Sequence, residues 1–369
     1  MRKFIFLLGC SAFSFACLGQ ITLTQLPSGG NKKAFVGERV GLTDIVIHYD
    51  RPAVKGREGK IWGQLVPTGY TDLGFGSAKA APWRAGANEN TTIEFSNDVK
   101  IEGQPLKAGK YGFFIAYDSV ESTLIFSNHS QSWGSYYYNE KEDALRVKVK
   151  PVRVNSSAEW LKYEFLNQTE SNATIALLWE RLMIPFKVET NYIENQLASF
   201  RNELRTERGF YWVAWDQAAQ WSLQRNVNLE QALLWADSAT GPSFGGASLF
   251  QPKTTKAQIL EKLGRKDEAT ALMKQALPLA NMQEIHQYGR SLLTQKRVKE
   301  ALEVFEFNYK KHPNEFTTLV GLTRGYSANG DYKNATRYAN LALPKAPNDL
   351  NKKYLTEALE KLKKNQDIN

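Results

Sequence analysis

Between residues 48 and 90 the chain gathers the side chains best suited to chemistry: His48, Asp50, Arg51, Lys55, Arg57 and Glu58, then Trp62, Trp83, Arg84, Asn88 and Glu89. Trp133, Tyr136, Tyr137 and Tyr138 follow. Flat aromatic faces pack on the apolar faces of sugar rings. Arginine forks pair with carboxylate or phosphate, and asparagine offers both a donor and an acceptor to hydroxyls. The mixture suits a glycan or an anionic small ligand held by His48, Arg51, Lys55, Arg57, Trp83, Arg84, Asn88, Glu89 and Trp133. The competing reading is structural: Trp and Tyr fill the cores of small sandwiches, and Arg51 and Arg84 can tie a long loop down.

Reaction chemistry has less support. Both cysteines, Cys10 and Cys17, fall at the extreme N-terminus, and no GxSxG elbow occurs. His48 and His129 are far apart, with no HxH or HExxH spacing, so neither a metal nor another cofactor is expected. One enzymatic alternative stays open: a glycan hydrolase whose paired carboxylates, for example Asp50 with Glu89, come from the 50–90 loop. Their separation would decide that chemistry.

The elements that must carry these residues are strands. Period-two patterning marks residues 40–49 (VGLTDIVIHY), 91–95, 112–117, 122–126, 145–149, 161–165, 174–179 and 184–188. Turn signals separate them at Gly103-Gln104-Pro105, Ala108-Gly109-Lys110, Asp118-Ser119 and Asn167-Gln168-Thr169. Such spacing predicts antiparallel sheets closed into a sandwich or barrel. Gly109 is expected at a positive φ. Residues 51–90 read as a long irregular loop, and loops of that length are often functional.

These segments resemble a known family. HYDRPAVKGRE, IWGQLVP, WRAGANENTTIEFS, VKIEGQPLKAGKYGFF and WGSYYYNEKEDALRVKV occur in the order found in the domain-of-unknown-function 2911 family. The resemblance covers about residues 40–190 and departs at residues 68–82, which lengthen the link between the LVP and WRAG segments. It implies a β domain in an exported protein, of a kind common in the Bacteroidetes, and supplies no reaction.

Near residue 190 the pattern turns helical, beginning with residues 193–204. Gly264-Arg265-Lys266-Asp267-Glu268-Ala269 recurs as Lys296-Arg297-Val298-Lys299-Glu300-Ala301 and as Gly330-Asp331-Tyr332-Lys333-Asn334-Ala335. Pro278, Pro313 and Pro347 follow at a similar interval. A period near 34 residues resembles tetratricopeptide repeats. A degenerate earlier unit is expected over residues 212–239, with residues 240–252 (TGPSFGGASLFQP) as a loop. Stacked repeats create a groove that takes a protein or peptide, unless the stack only supports the β domain.

The address comes from the first twenty residues. Arg2 and Lys3 precede an apolar run to Leu18, with Gly19 before a polar chain, as in a secretory signal. The expected order is therefore a signal over 1–19, a β domain over 20–190 and helical repeats over 191–369. Cleavage after Gly19 would remove both cysteines. Processing at Cys17 is the less favoured alternative and would tether the chain by lipid. No later stretch approaches the roughly 20 apolar residues of a membrane span. The formal charge of +9 sits mainly on helical faces of the second half, so nucleic acid is not an expected partner. The expected function is an exported periplasmic or cell-envelope binding or assembly protein, with the glycan hydrolase as the alternative.

Overall fold

The computed structural model describes residues 30–369. The expected signal, with Cys10 and Cys17, lies outside them. The chain divides into two compact units, one ending at Gln196 and the other Leu197–Asn369.

The first unit is an antiparallel sandwich. Its strands are β1 (Lys32–Val40), β2 (Thr43–Arg51), β3 (Thr91–Phe95), β4 (Val99–Ile101), β5 (Gln104–Leu106), β6 (Gly109–Ala116), β7 (Ser122–Ser127), β8 (Asp143–Val149), β9 (Val152–Leu166) and β10 (Asn172–Thr190). Six of them form one sheet in the order β1-β2-β3-β6-β7-β8, and four form another in the order β5-β4-β10-β9. Two separate sheets around one core make it a sandwich rather than a barrel. Alternation builds that core. In β2, Ile45, Ile47 and Tyr49 are buried while Asp44 and His48 are exposed. Phe95, Phe113, Phe126, Trp179 and Phe186 fill the space between the sheets.

Several expectations are corrected. Residues 174–179 and 184–188 belong to one strand, β10. Glu180 and Arg181 interrupt its apolar pattern, yet the strand continues through a bulge at which Glu180 takes φ 52°. The turn expected at Gly103-Gln104-Pro105 is made by Glu102 and Gly103, both at positive φ, and Gln104 and Pro105 already belong to β5. Proline is tolerated there because β5 is an edge strand. Most of β1 and the short β4 and β5 carried too little apolar alternation to be foreseen. Gly109 does take a positive φ, of 152°.

The segment between β2 and β3 has no regular element, as expected. It is nonetheless packed. Isolated bridges join Ala53 to Trp160, Gly69 to Tyr117 and Trp83 to Ile115. Val54, Ile61, Val66, Ala81 and Ala85 are buried.

The second unit is a run of helix pairs, preceded by α1 (Tyr192–Glu203), which spans the division. The pairs are α2 (Trp212–Arg225) with α3 (Leu229–Thr240), α4 (Phe250–Lys262) with α5 (Lys266–Ala276), α6 (Met282–Thr294) with α7 (Val298–Lys311), and α8 (Phe316–Ala328) with α9 (Tyr332–Ala342). A single helix, α10 (Asp349–Lys363), follows. The repeated alanines Ala269, Ala301 and Ala335 are fully buried where paired helices meet. The turn before each takes a left-handed residue: Gly264 at φ 81°, Lys296 at 61° and Gly330 at 78°. The prolines align differently from expectation. Pro278 and Pro344 occupy equivalent 3-10 turns, while Pro313 and Pro347 stand in the links that follow. The loop expected over residues 240–252 ends at Leu249. Pro252 lies in the first turn of α4, where its missing N–H costs nothing.

Candidate functional site

A pocket of about 440 Å³ lies on the outer face of the six-stranded sheet. Register places its floor. Lys33 of β1 stands opposite Asp50 of β2, Phe35 opposite His48, and His48 opposite Thr92 of β3. The wall comes from two tied segments: Asn90 N donates to the Ser132 carbonyl at 3.0 Å, and Ser132 N donates to Asn90 Oδ1 at 2.8 Å. Lys33 Nζ lies 3.3 Å from Asp50 Oδ2 and 2.7 Å from Glu89 Oε2, so one ammonium serves two acids. The Asp50 side chain is only 4% exposed. Its Oδ1 meets no donor among the described residues. Burial, and then its contact with Glu89, raises the Asp50 carboxyl above the usual range. The Lys33 ammonium holds Glu89 below it. Asp50 and Glu89 are thus joined through one ammonium, that of Lys33.

Of the residues singled out from sequence, His48, Asp50 and Glu89 line this pocket. The arginines do not. Arg51 Nε donates to the Leu161 carbonyl at 2.7 Å, Arg57 donates to the carbonyls of Ala53 and Val54, and Arg84 donates to the Asn88 carbonyl at 2.8 Å. These guanidiniums staple backbone, which is the structural reading of the loop. Trp83 stacks on buried Trp179 and gives its indole N–H to Gly86, so its ring is part of the packing. Lys55 is exposed at φ 51°, Asn88 accepts from Asn31, and Trp133 stands at the surface. Tyr138 donates to Asp143 and Phe75 packs edge-on against Tyr136 and Tyr137.

The helical unit carries a second site. The first helices of successive pairs line a continuous cleft, and Gln283 and Gln287 of α6 border two of its hollows. The hollow across α6, α8 and α10 measures about 470 Å³ and includes His286, Arg290, Arg324 and Tyr354. No Asp or Glu lines it. Asp367 lies nearby in sequence to α10 but is held by Ser327 and Asn369. The Arg324 guanidinium lies 4.9 Å from the centre of the Tyr354 ring. Tyr354 Oη and His286 Nδ1 are buried with no hydrogen-bond partner among the described residues. Burial, reinforced by the two arginines, holds the His286 pKa down to about 4, so the imidazole is neutral. Two guanidiniums line this hollow, and charge of that sign suits a carboxylate.

Sequence reading missed this cluster, although the period could have found it. Arg290 and Arg324 are 34 residues apart, as are His286, Val320 and Tyr354 in turn. Residues at one repeat position on first helices share one face. Lys33, Asn90, Thr92 and residues 130–132 were also missed, because only the β1–β2 register and a long-range loop contact bring them to Asp50.

No curated protein matches the chain. Among solved structures, it is similar to YrrB, a TPR protein with an unusual peptide-binding site, at 16% identity and TM-score 0.30, over 46% of this chain and 86% of that one. It is also similar to a putative kinesin light chain from Podosopora anserina with nearly identical TPR-like repeats, at 16% identity and TM-score 0.30, over 41% and 85%. MamA from Desulfovibrio magneticus RS-1 is similar at 17% identity and TM-score 0.29, over 43% and 95%. Residues 31–188, the sandwich from β1 to near the end of β10, match the family model described as a protein of unknown function, DUF2911.

Proposed function

We propose that this chain is an exported binding protein of the cell envelope whose helical repeats seat an extended, acidic segment of a protein partner. One observation carries the reading: Arg290 and Arg324 recur at the same repeat position and line a hollow that contains no acidic side chain. The amides of Gln283 and Gln287 along the same cleft supply both donors and acceptors to a peptide backbone. A groove of this kind holds its ligand by many weak contacts, and the arginines fix the register by charge.

The test is a peptide-display selection on the whole mature protein, followed by fluorescence anisotropy of the selected peptides. Enrichment of sequences bearing Asp or Glu is expected, with affinity falling at least about tenfold in the Arg290→Glu, Arg324→Glu double variant and weakening with added salt. Selected peptides that bind both proteins equally would remove the basis of the proposal. Export is tested separately. The protein recovered from the envelope fraction should lack residues 1–19 by intact mass, and a mass that retains them would refute the address.

A further inference from the structure

The pocket on the sandwich has an electrostatic character of its own. Two carboxyl groups, Asp50 and Glu89, face one ammonium, that of Lys33. The Asp50 carboxyl is almost wholly buried and retains an oxygen without a donor, whereas the Lys33 side chain is more than half exposed. Burying a carboxylate that is not fully partnered is unfavourable, so the sheet holds it there against a cost. The lysine, by contrast, reaches the two acids from an edge strand with its side chain more than half exposed, where a ligand's ammonium can take its place.

The rest of the lining is neutral and polar. The side chains of Thr92, Ser130 and Gln131 make no hydrogen bond among the described residues, which leaves hydroxyls and an amide free toward the pocket. At the rim, the exposed Phe35 ring stacks with His48 at a centroid distance of 5.6 Å. An anion does not suit this surplus of acid. Among the described residues no three His, Cys, Asp or Glu side chains gather to hold a metal ion. A ligand that brings its own ammonium, with hydroxyls beside it, matches the two acids and the neutral polar lining.

We infer that the pocket binds a small hydroxylated amine of the amino-sugar class, its ammonium displacing Lys33 from Asp50 and Glu89 and its hydroxyls meeting Thr92, Ser130 and Gln131. The site is independent of the peptide groove on the repeats. Its ligand chemistry also differs from the anionic ligand that the arginine content of the loop suggested, because those arginines bond backbone carbonyls and none lines the pocket.

The test is isothermal titration calorimetry of the whole mature protein at neutral pH with three probes: glucosamine, N-acetylglucosamine and cadaverine. Saturable binding of glucosamine is expected, with at least tenfold weaker binding of N-acetylglucosamine, which has no ammonium, and of cadaverine, which has no hydroxyls. Lys33→Ala should tighten glucosamine binding severalfold by removing the competing ammonium. Glu89→Gln, at a half-exposed position where the fold is not at stake, should weaken it about tenfold, and Asp50→Asn should abolish it in a protein whose circular dichroism is unchanged. Absence of binding to both the natural protein and the Lys33→Ala variant would overturn the assignment. So would N-acetylglucosamine or cadaverine binding as tightly as glucosamine, or affinity that survives Glu89→Gln.

Discussion

His286 shows how a single side chain links the groove to pH. In an unfolded chain its imidazole titrates near 6.5, whereas burial and the two neighbouring arginines hold it to about 4 in the fold. Between those values the unfolded chain binds the extra proton, so the native state loses stability as pH falls through that window. The full shift corresponds to about 3 kcal/mol. Thermal melts at pH 7 and pH 4.5 should therefore diverge for the natural protein and converge in His286→Gln, and an equal acid sensitivity of both would dismiss His286 as its source. The residue scale is also where sequence misled most. Arg51, Arg57 and Arg84 carry free-looking guanidiniums in a one-dimensional reading. In the fold each meets a carbonyl that only tertiary structure supplies. Residue type says what a side chain can bind, while its partners are fixed by contacts more than 100 positions away in the case of Arg51 and Leu161.

At the scale of elements, local patterning was informative wherever one face is buried. Strand β3 and the core of β7 could be read nearly residue for residue from their short runs of β-branched and aromatic residues, although both are buried on almost every position. Most of β1 escaped because its side chains are largely exposed, and β10 was divided because a bulge hides within it. The repeats were legible from their turns, and one turn departs from the rule. Lys296 holds the left-handed conformation that glycine takes at the equivalent turns, at a cost of about 1 kcal/mol. Lys296→Gly should raise the midpoint of chemical denaturation, and an unchanged or lower midpoint would mean that the side chain repays its strain elsewhere. Phe305 of α7 is the opposite case. It is fully buried, and a Cβ placed on Gly289, Gly321 or Gly325 would come within 2.5, 2.7 or 2.9 Å of its ring. Phe305→Ala should destabilise the repeats by about 3–5 kcal/mol. A loss below about 1 kcal/mol in urea unfolding would show that α6 and α8 close over the gap.

For the whole molecule, two compact units with separate cores imply two cooperative unfolding events. Differential scanning calorimetry of the full chain should show Lys296→Gly and Phe305→Ala moving one transition and leaving the other in place. A single transition displaced by both substitutions would contradict that division. The broad architecture was readable because composition and period both change near residue 190. The sites were not, since each is assembled from segments that the sequence keeps apart: β1 with the end of the long loop in one, and α6, α8 and α10 in the other.

The glycines around Phe305 have a further consequence. Because three positions lack side chains where α6 and α8 approach one ring, the distance between these helices is set from behind, by a buried residue of α7 that does not line the hollow. The shape of the hollow is then adjustable without altering any group that lines it. Exchanging Phe305 for a smaller or larger apolar residue would change how closely α6 and α8 approach, and with it the distance between Arg290 and Arg324, much as changing the radius of a ruler bent into an arc changes the distance between its marks.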